Sequence, residues 1–120
     1  MKGIVDESGR ALLDVRISSE LNGEYSNVVT WIDTAFDGHL VLSFARIREP
    51  GLDSLVETEA ILADGSRVTL KTFVCFIDWF GECLPFQVIA NDGRFPLPGT
   101  GLLDRRVLRI DYRKKRLSLD

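Results

Sequence analysis

The sequence predicts an all-β domain, closed or sandwich-like, with one or two short helices, and three observations carry that prediction. The chain has 120 residues, 45% of them apolar and 28% charged, which is enough for one hydrophobic core and too little for two. Residues 1–120 therefore read as a single globular domain, not as a disordered or collagen-like chain. About eight segments either alternate apolar and polar side chains or run apolar over four or five residues, as strands do. Between them fall Asn-Gly, Asp-Gly and Pro-Gly pairs, the punctuation of turns.

Leu13, Val15 and Ile17 alternate with Asp14, Arg16 and Ser18, the pattern of a strand with one wet face. Asn22-Gly23 tolerates positive φ at both positions, so residues 11–21 and 25–33 are the arms of a hairpin, not necessarily paired directly across those two residues. Val28-Val29-Thr30-Trp31-Ile32 suits a strand buried on both faces, which delivers Asp33 out of the core. Another apolar strand follows at His39-Leu40-Val41-Leu42. Ser43 then caps a short helix through about Glu49, and Pro50-Gly51 stops it. Thr58 to Leu62 and Arg67 to Ile77 are strands joined by Ala63-Asp64-Gly65-Ser66. The second continues through Phe73-Val74-Cys75-Phe76-Ile77, turns near Phe80-Gly81 and returns from Leu84 to Ala90, before a third turn at Asn91-Asp92-Gly93. A Pro/Gly-rich stretch from Phe95 to Gly101 precedes Leu102-Leu103-Asp104, which begins one or two helical turns. Leu108-Arg109-Ile110-Asp111-Tyr112 and Arg116-Leu117-Ser118-Leu119 close the chain as two alternating strands about a Lys-Lys turn. No repeat, linker or low-complexity segment interrupts this series.

Charge and cysteine usage narrow the function. The chain is acidic overall, yet residues 104–120 carry seven basic and three acidic side chains, against eight and fifteen in the rest. Arg113-Lys114-Lys115-Arg116 is too short, and too poor in neighbouring aromatics, for a nucleic-acid patch, so it reads as a solvated turn and no nucleic-acid partner is expected. The longest apolar run, Phe73 to Ile77, is far below the roughly 20 residues of a membrane span. The segment MKGIVDESGR also lacks the apolar centre of a signal peptide, so the expected location is cytoplasmic, without a membrane partner. Cys75 and Cys83 then read as buried free thiols. No cluster at metal-ligand spacing accompanies them, so no metal or cofactor is expected. His39, the only histidine, has no serine or cysteine pattern to complete a triad. Trp79-Phe80, at a hairpin end, is read as core or dimer packing before a partner-binding patch.

Asp33 stands directly after a run that reads as core, and a buried unpaired carboxylate costs several kcal/mol. Taken alone, Asp-Thr at a strand end is a turn whose side chains satisfy local amides. The surrounding segments reverse that reading. Trp31-Ile32-Asp33-Thr34-Ala35 resembles the apolar-apolar-Asp-Thr-small motif of the aspartic peptidases, and the order of later features resembles their retropepsin-like branch. The flap hairpin falls on Glu57 to Thr72, with Ala63-Asp64-Gly65-Ser66 at its tip. The later apolar-apolar-Gly element falls on Leu97-Pro98-Gly99, and a short helix from Gly101 to Arg105 and closing strands follow. The likeness spans roughly residues 11–119 and is nearest to small bacterial and archaeal aspartic peptidase-like proteins whose motif continues into Phe-x-Gly. It departs where Ala35 replaces the usual glycine, where Phe36 replaces a small residue, at Pro98, which lacks an amide, and at Thr100-Gly101 in place of a polar-acidic pair.

The resemblance implies a closed retropepsin-like β-barrel with a flap, and an aspartic endopeptidase: a hydrolase that needs two carboxylates about one water. One acts as general base, and its protonated partner donates to the scissile carbonyl. Carboxylates that close retain one proton between them. With one Asp-Thr-small motif in one lobe, the second aspartate must come from a second copy across a two-fold axis, so a homodimer acting on polypeptide is implied. The catalytic motif is Asp33, Thr34 and Ala35, with the Thr34 hydroxyl bracing the pair across the axis. Asp37 and Gly38, with Ala63, Asp64 and Gly65 of the flap, would hold substrate main chain; Asp37 reads equally as a cap on the Gly38 turn, and the flap tip as an ordinary hairpin turn. The rival is a non-catalytic module of the same fold, in which Ala35 and Phe36 mark lost chemistry and the dimer cleft binds a peptide or protein partner.

Overall fold

The structure, a computed structural model, describes residues 1–21, 23–48, 55–61, 63–91 and 95–120. Asn22, Glu49, the Pro50-Gly51 stop, Leu62 and Asp92-Gly93, on which several expected turns and ends rest, lie outside the described residues.

The described strands are β1 (Lys2–Val5), β2 (Ala11–Ser18), β3 (Ser26–Trp31), β4 (Leu40–Leu42), β5 (Leu55–Ile61), β6 (Arg67–Trp79), β7 (Glu82–Ala90), β8 (Leu97–Pro98), β9 (Leu108–Asp111) and β10 (Arg116–Leu119). Two short helices, α1 (Phe44–Arg48) and α2 (Thr100–Leu103), separate β4 from β5 and β8 from β9. The strands form one sheet in the order β8-β4-β7-β6-β2-β1-β10-β9, with β3 added on β2 and β5 on β6. β2 makes the sheet curl into a half-barrel. Its first residues pair with β1 (Ile4↔Leu12), while Ile17 and Ser18 pair with Ile77 and Phe76 of β6. All ladders are antiparallel except β4 with β7, where Leu40, Val41 and Leu42 lie beside Val88, Ile89 and Ala90.

The alternation read in β2 has the expected consequence. Leu13, Val15 and Ile17 are buried and meet Val28 of β3, Leu40 and Leu42 of β4, Cys75, Ile77 and Trp79 of β6, Val88 of β7, and Leu117 and Leu119 of β10. Thr30 is buried among them because its hydroxyl donates to the Leu13 carbonyl at 2.7 Å, which removes the cost of an unpaired polar group. At the start of α1 the Arg46 amide donates to Ser43 Oγ at 3.3 Å, the cap expected of that serine.

Three expectations need correction. β3 is buried on one face only: Val28 and Thr30 point inward, but Val29 and Trp31 are 47% and 40% exposed on the outer side of the β2–β3 pair, where a strand with one wet face places alternate residues. Residues 2–5 form a strand that their pattern does not announce. Lys2-Gly3-Ile4-Val5 is short and contains glycine, and it is held by its partners β2 and β10 more than by its own propensity. Cys83 is half-buried where a buried thiol was expected, whereas Cys75 is buried; both are free. Trp79 is buried and Phe80 half-buried, with the Arg106 guanidinium 3.6 Å from the Phe80 ring centre, so this pair serves packing within the chain.

Candidate active site

Asp33 follows the last residue of β3, and the backbone clamps it from two sides. The Ile32 amide donates to the Ala11 carbonyl at 3.0 Å; the Trp31 and Asp33 amides donate to the Pro96 and Pro98 carbonyls at 2.8 and 3.1 Å. The 96–98 segment thus extends the sheet alongside the aspartate. Pro98 contributes only its carbonyl to this contact, so its missing amide does not disturb it.

Beyond Asp33 the chain turns sharply. The Phe36 amide donates to the Asp33 carbonyl at 3.3 Å, and the Ala35 amide to Asp33 Oδ1 at 3.0 Å. The local turn that Asp-Thr suggests is therefore present, but it uses one carboxylate oxygen. The other has no partner among the described residues. Ala35 is exposed and does not adopt positive φ, so the methyl group in place of the usual glycine hydrogen is carried without backbone strain.

The far side of the loop is seated on the glycine element. Amides of Gly99, Thr100 and Gly101 donate to the carbonyls of His39, Phe36 and Gly38 at 2.9, 2.7 and 3.0 Å, and the Thr100 hydroxyl reaches the Phe36 carbonyl at 3.3 Å. This approach is possible only without a side chain at residue 99. A methyl there would meet the Phe36 ring and lie 2.5 Å from the Gly38 carbonyl oxygen and 2.6 Å from that of Phe36. Phe36, large where a small residue is usual, occupies space that Gly38 and Gly99 leave open. His39 fixes the loop's exit: its Nδ1 accepts the Gln87 amide at 3.0 Å, its ring packs edge-on to Phe86, and burial pushes its pKa down.

Asp33 lines a pocket of about 460 Å³ with Trp31, Ile32, Phe95 and Leu97. Trp31 and Phe95 meet edge to face with ring centres 6.1 Å apart, and the Arg10 guanidinium lies 5.8 and 5.1 Å from them. Asp6 holds Arg10 in place, Oδ2 to Nε at 2.7 Å, and the Arg10 amide, then its guanidinium, keep the Asp6 carboxyl below its ordinary pKa. The half-buried carboxylate thus opens into a cavity whose other described walls are apolar, an arrangement fit to hold an apolar side chain beside a carboxylate.

The other expected site residues are less tightly gathered. Thr34 and Asp37 are exposed, and the Thr34 hydroxyl has no partner among the described residues. Gly38 braces the loop through its carbonyl. Ala63, Asp64 and Gly65 stand exposed at the tip of the β5–β6 hairpin and are not among the described pocket residues. There Asp64 Oδ1 accepts from the Ser66 hydroxyl and amide at 2.6 and 2.9 Å, bonds that lower the Asp64 pKa, and Gly65 takes φ +83°. Among the described residues no His, Cys, Asp and Glu cluster suited to a metal occurs. Cys75, its pKa pushed up to about 12 by burial, is no nucleophile. Sequence reading did not single out Phe95 or Arg10: Phe95 lay in a stretch read only as a Pro/Gly connector, and nothing local links Arg10 to residues 21 and 85 positions away.

The curled sheet, the clamped aspartate loop and the glycine element beneath it define a retropepsin-like fold. The solved structures that resemble it bear this out. A retropepsin-like aspartic protease from Rickettsia conorii superposes with a TM-score of 0.69 at 18% identity, covering 99% of this chain and 88% of that one. The protease of EIAV, complexed with the inhibitor HBY-793, gives 0.61 at 17% identity over 82% of this chain and 88% of that one. The retroviral protease-like domain of Ddi1 from Leishmania major gives 0.52 at 18% identity, covering 91% and 88%. No protein-family model matches the chain, and no curated protein sequence does. No helix among the described residues is long and apolar enough to cross a membrane.

Proposed function

We propose that the chain is an aspartic endopeptidase that works as a homodimer, with Asp33 of each copy contributing to one catalytic pair. The observation that carries this reading is the half-buried Asp33 carboxylate: one oxygen engaged by the Ala35 amide, the other unpartnered among the described residues, and both beside an apolar pocket in a retropepsin-like fold. In the pair, the ionised carboxylate takes a proton from water as the oxygen attacks the scissile carbonyl carbon, and the protonated mate donates to the carbonyl oxygen. Thr34 braces the two loops across the axis, which its exposed, unpartnered hydroxyl permits. Asp37, Gly38 and the flap residues Ala63, Asp64 and Gly65 hold the substrate's main chain as the flap closes. The two free cysteines agree with a cytoplasmic location.

Cleavage of a peptide library from acidic to neutral pH tests the proposal. Wild type should cut extended peptides, and Asp33→Asn should fold equally well and cut none. A folded wild-type dimer without activity, or an Asp33→Asn variant as active as wild type, would remove it. Ala35 in the glycine position and Phe36 in place of a small residue favour the non-catalytic reading, in which the cleft binds a peptide or protein partner without cutting it.

A further inference from the structure

The strands β3, β2, β1, β10 and β9 lie side by side, and their registers align residues across the sheet. Trp31 is paired with Leu12, Leu12 with Ile4, Ile4 with Arg116, and Arg116 with Asp111. Directly paired residues project to the same face. The residues that alternate with them, Leu13, Val5, Leu117 and Leu119 among them, are buried, so this row lies on the outer face. Two residues along, Val29 stands beside Asp14, and Lys2, Ser118 and Arg109 stand beside one another on the same face.

Two cavities follow these rows. Ile4, Leu12, Asp14 and Val29 line one of about 370 Å³, and Arg109, Arg116 and Ser118 line another of about 390 Å³; Lys2 and Gly3 belong to both. Leu12, in the first, is paired with Trp31, a wall of the pocket that holds Asp33. The face changes character along its length. Toward Asp33 it is apolar, with Trp31, Leu12, Val29 and a 59% exposed Ile4, more apolar surface than solvation alone explains. At the far end stand Lys2, Arg109 and Arg116, none in an ion pair among the described residues, and the exposed cations of the 113–115 turn lie beyond them. Two anions share the face: Asp14 beside Val29, and Asp111, whose Oδ1 already accepts from the amides of Arg113 and Lys114.

We propose that this face is a second binding site for the polypeptide substrate, a trough for the segment that flanks the residue held in the Asp33 pocket. It selects apolar residues next to the pocket and acidic residues farther out. The inference deepens the proposed function and rests on the peptidase reading for the identity of its occupant. Continuity with the pocket and complementarity of charge choose that occupant. A polypeptide with one side chain in the pocket continues over the surface beside it, and on the Trp31 side that surface is Leu12 and then Ile4. From Trp31 to Arg116 is three steps between strands, roughly 14 Å, which an extended peptide spans in about four residues. Acidic side chains about four to six residues from the pocket residue therefore meet Lys2, Arg109 and Arg116. Exposed cations act weakly one by one, so the selection comes from several together.

Fluorescence anisotropy with the full-length Asp33→Asn chain, which holds a peptide without cutting it, tests the inference. The labelled peptides share a central apolar residue and carry either Glu or Lys about four to six residues out on both sides. Glu-flanked peptides should bind about tenfold more tightly than Lys-flanked ones, and added salt should narrow the gap. Lys2→Glu with Arg116→Glu, two exposed positions, should invert the order, with circular dichroism to confirm the fold. Lys2→Ser with Arg116→Ser only removes charge and should bring the two peptides close together. Ile4→Ser should weaken both alike. Equal affinity for the two peptides, binding of neither, or a preference that both double variants leave unchanged overturns the inference. Cleavage of the same peptides by wild type reads the peptidase separately. Flank-dependent binding without any cleavage removes the peptidase and leaves the trough standing, and cleavage indifferent to the flanks does the reverse.

Discussion

Ala35 separates the two functional readings by a single methyl group. Its backbone is not left-handed, its side chain is exposed, and its amide holds Asp33 Oδ1, so nothing in the loop demands glycine there. Ala35→Gly should therefore leave peptide cleavage within about threefold of wild type and lower stability by about 0.5–1 kcal/mol, the cost of the freer unfolded chain. Steady-state kinetics and urea unfolding check both. An activity that appears only in Ala35→Gly would identify the alanine as the residue that silenced the site. His39 sets a limit of a different kind. Its Nδ1 accepts the Gln87 amide, so that nitrogen must be unprotonated, and burial lowers its pKa in the folded chain. A lowered folded-state pKa means the unfolded chain binds the proton first. The contribution is then intact above the ordinary value of about 6.5 and is lost as pH falls through it toward the folded value. Thermal midpoints should fall more between pH 7 and pH 5 for wild type than for His39→Gln, whose amide oxygen accepts at both. Parallel pH profiles would show that His39 does not titrate in this range.

At the level of elements, the glycine element and α2 act as a seat for the aspartate loop. Gly99→Ala would push a methyl into the Phe36 ring and into two backbone carbonyls. It should destabilise the chain by about 2–3 kcal/mol, at the upper end for overpacking. Phe36→Ala in the same chain should recover only part of that, because the ring can be removed and the carbonyls cannot; full recovery in urea unfolding would assign the whole clash to the ring. The same elements show what was legible beforehand. β2 and β10 announce themselves because the period-two pattern survives in each, β6 because of its apolar run from Phe73 to Ile77, and Asp-Gly marks the β5–β6 turn. β1 does not, because four residues with a glycine carry too little pattern, and its strand geometry is imposed by β2 and β10. Trp31 reads as core from its neighbours, yet it stands 40% exposed on the outer face of β3, where its ring partner is Phe95, 64 residues later. Asp33 was legible because a charge after an apolar strand is costly unless it has a purpose. Arg10 was not, since its place over Trp31 and Phe95 exists only once three distant segments meet.

For the whole molecule, one chain supplies one Asp-Thr-Ala motif, so the chemistry proposed is a property of two copies together. That has a consequence which neither a binding module nor a single-chain hydrolase shares. If Asp33→Asn chains exchange freely with wild type, each wild-type chain in an equal mixture meets a wild-type mate only half the time. The mixed dimer holds one carboxylate and one amide, and it lacks the proton-sharing pair that general acid and base catalysis requires. Cleavage per wild-type chain should therefore fall to about half in the equal mixture and continue to fall as the variant is added in excess. It should also fall on dilution of wild type alone, with a thermal midpoint that drops at lower protein concentration, because folding and association are then linked. Activity measured after re-equilibration at several mixing ratios decides the matter. A rate that tracks the wild-type concentration and ignores the added variant would mean that a single Asp33 suffices, and the shared catalytic pair would have to be abandoned even if the dimer itself is real.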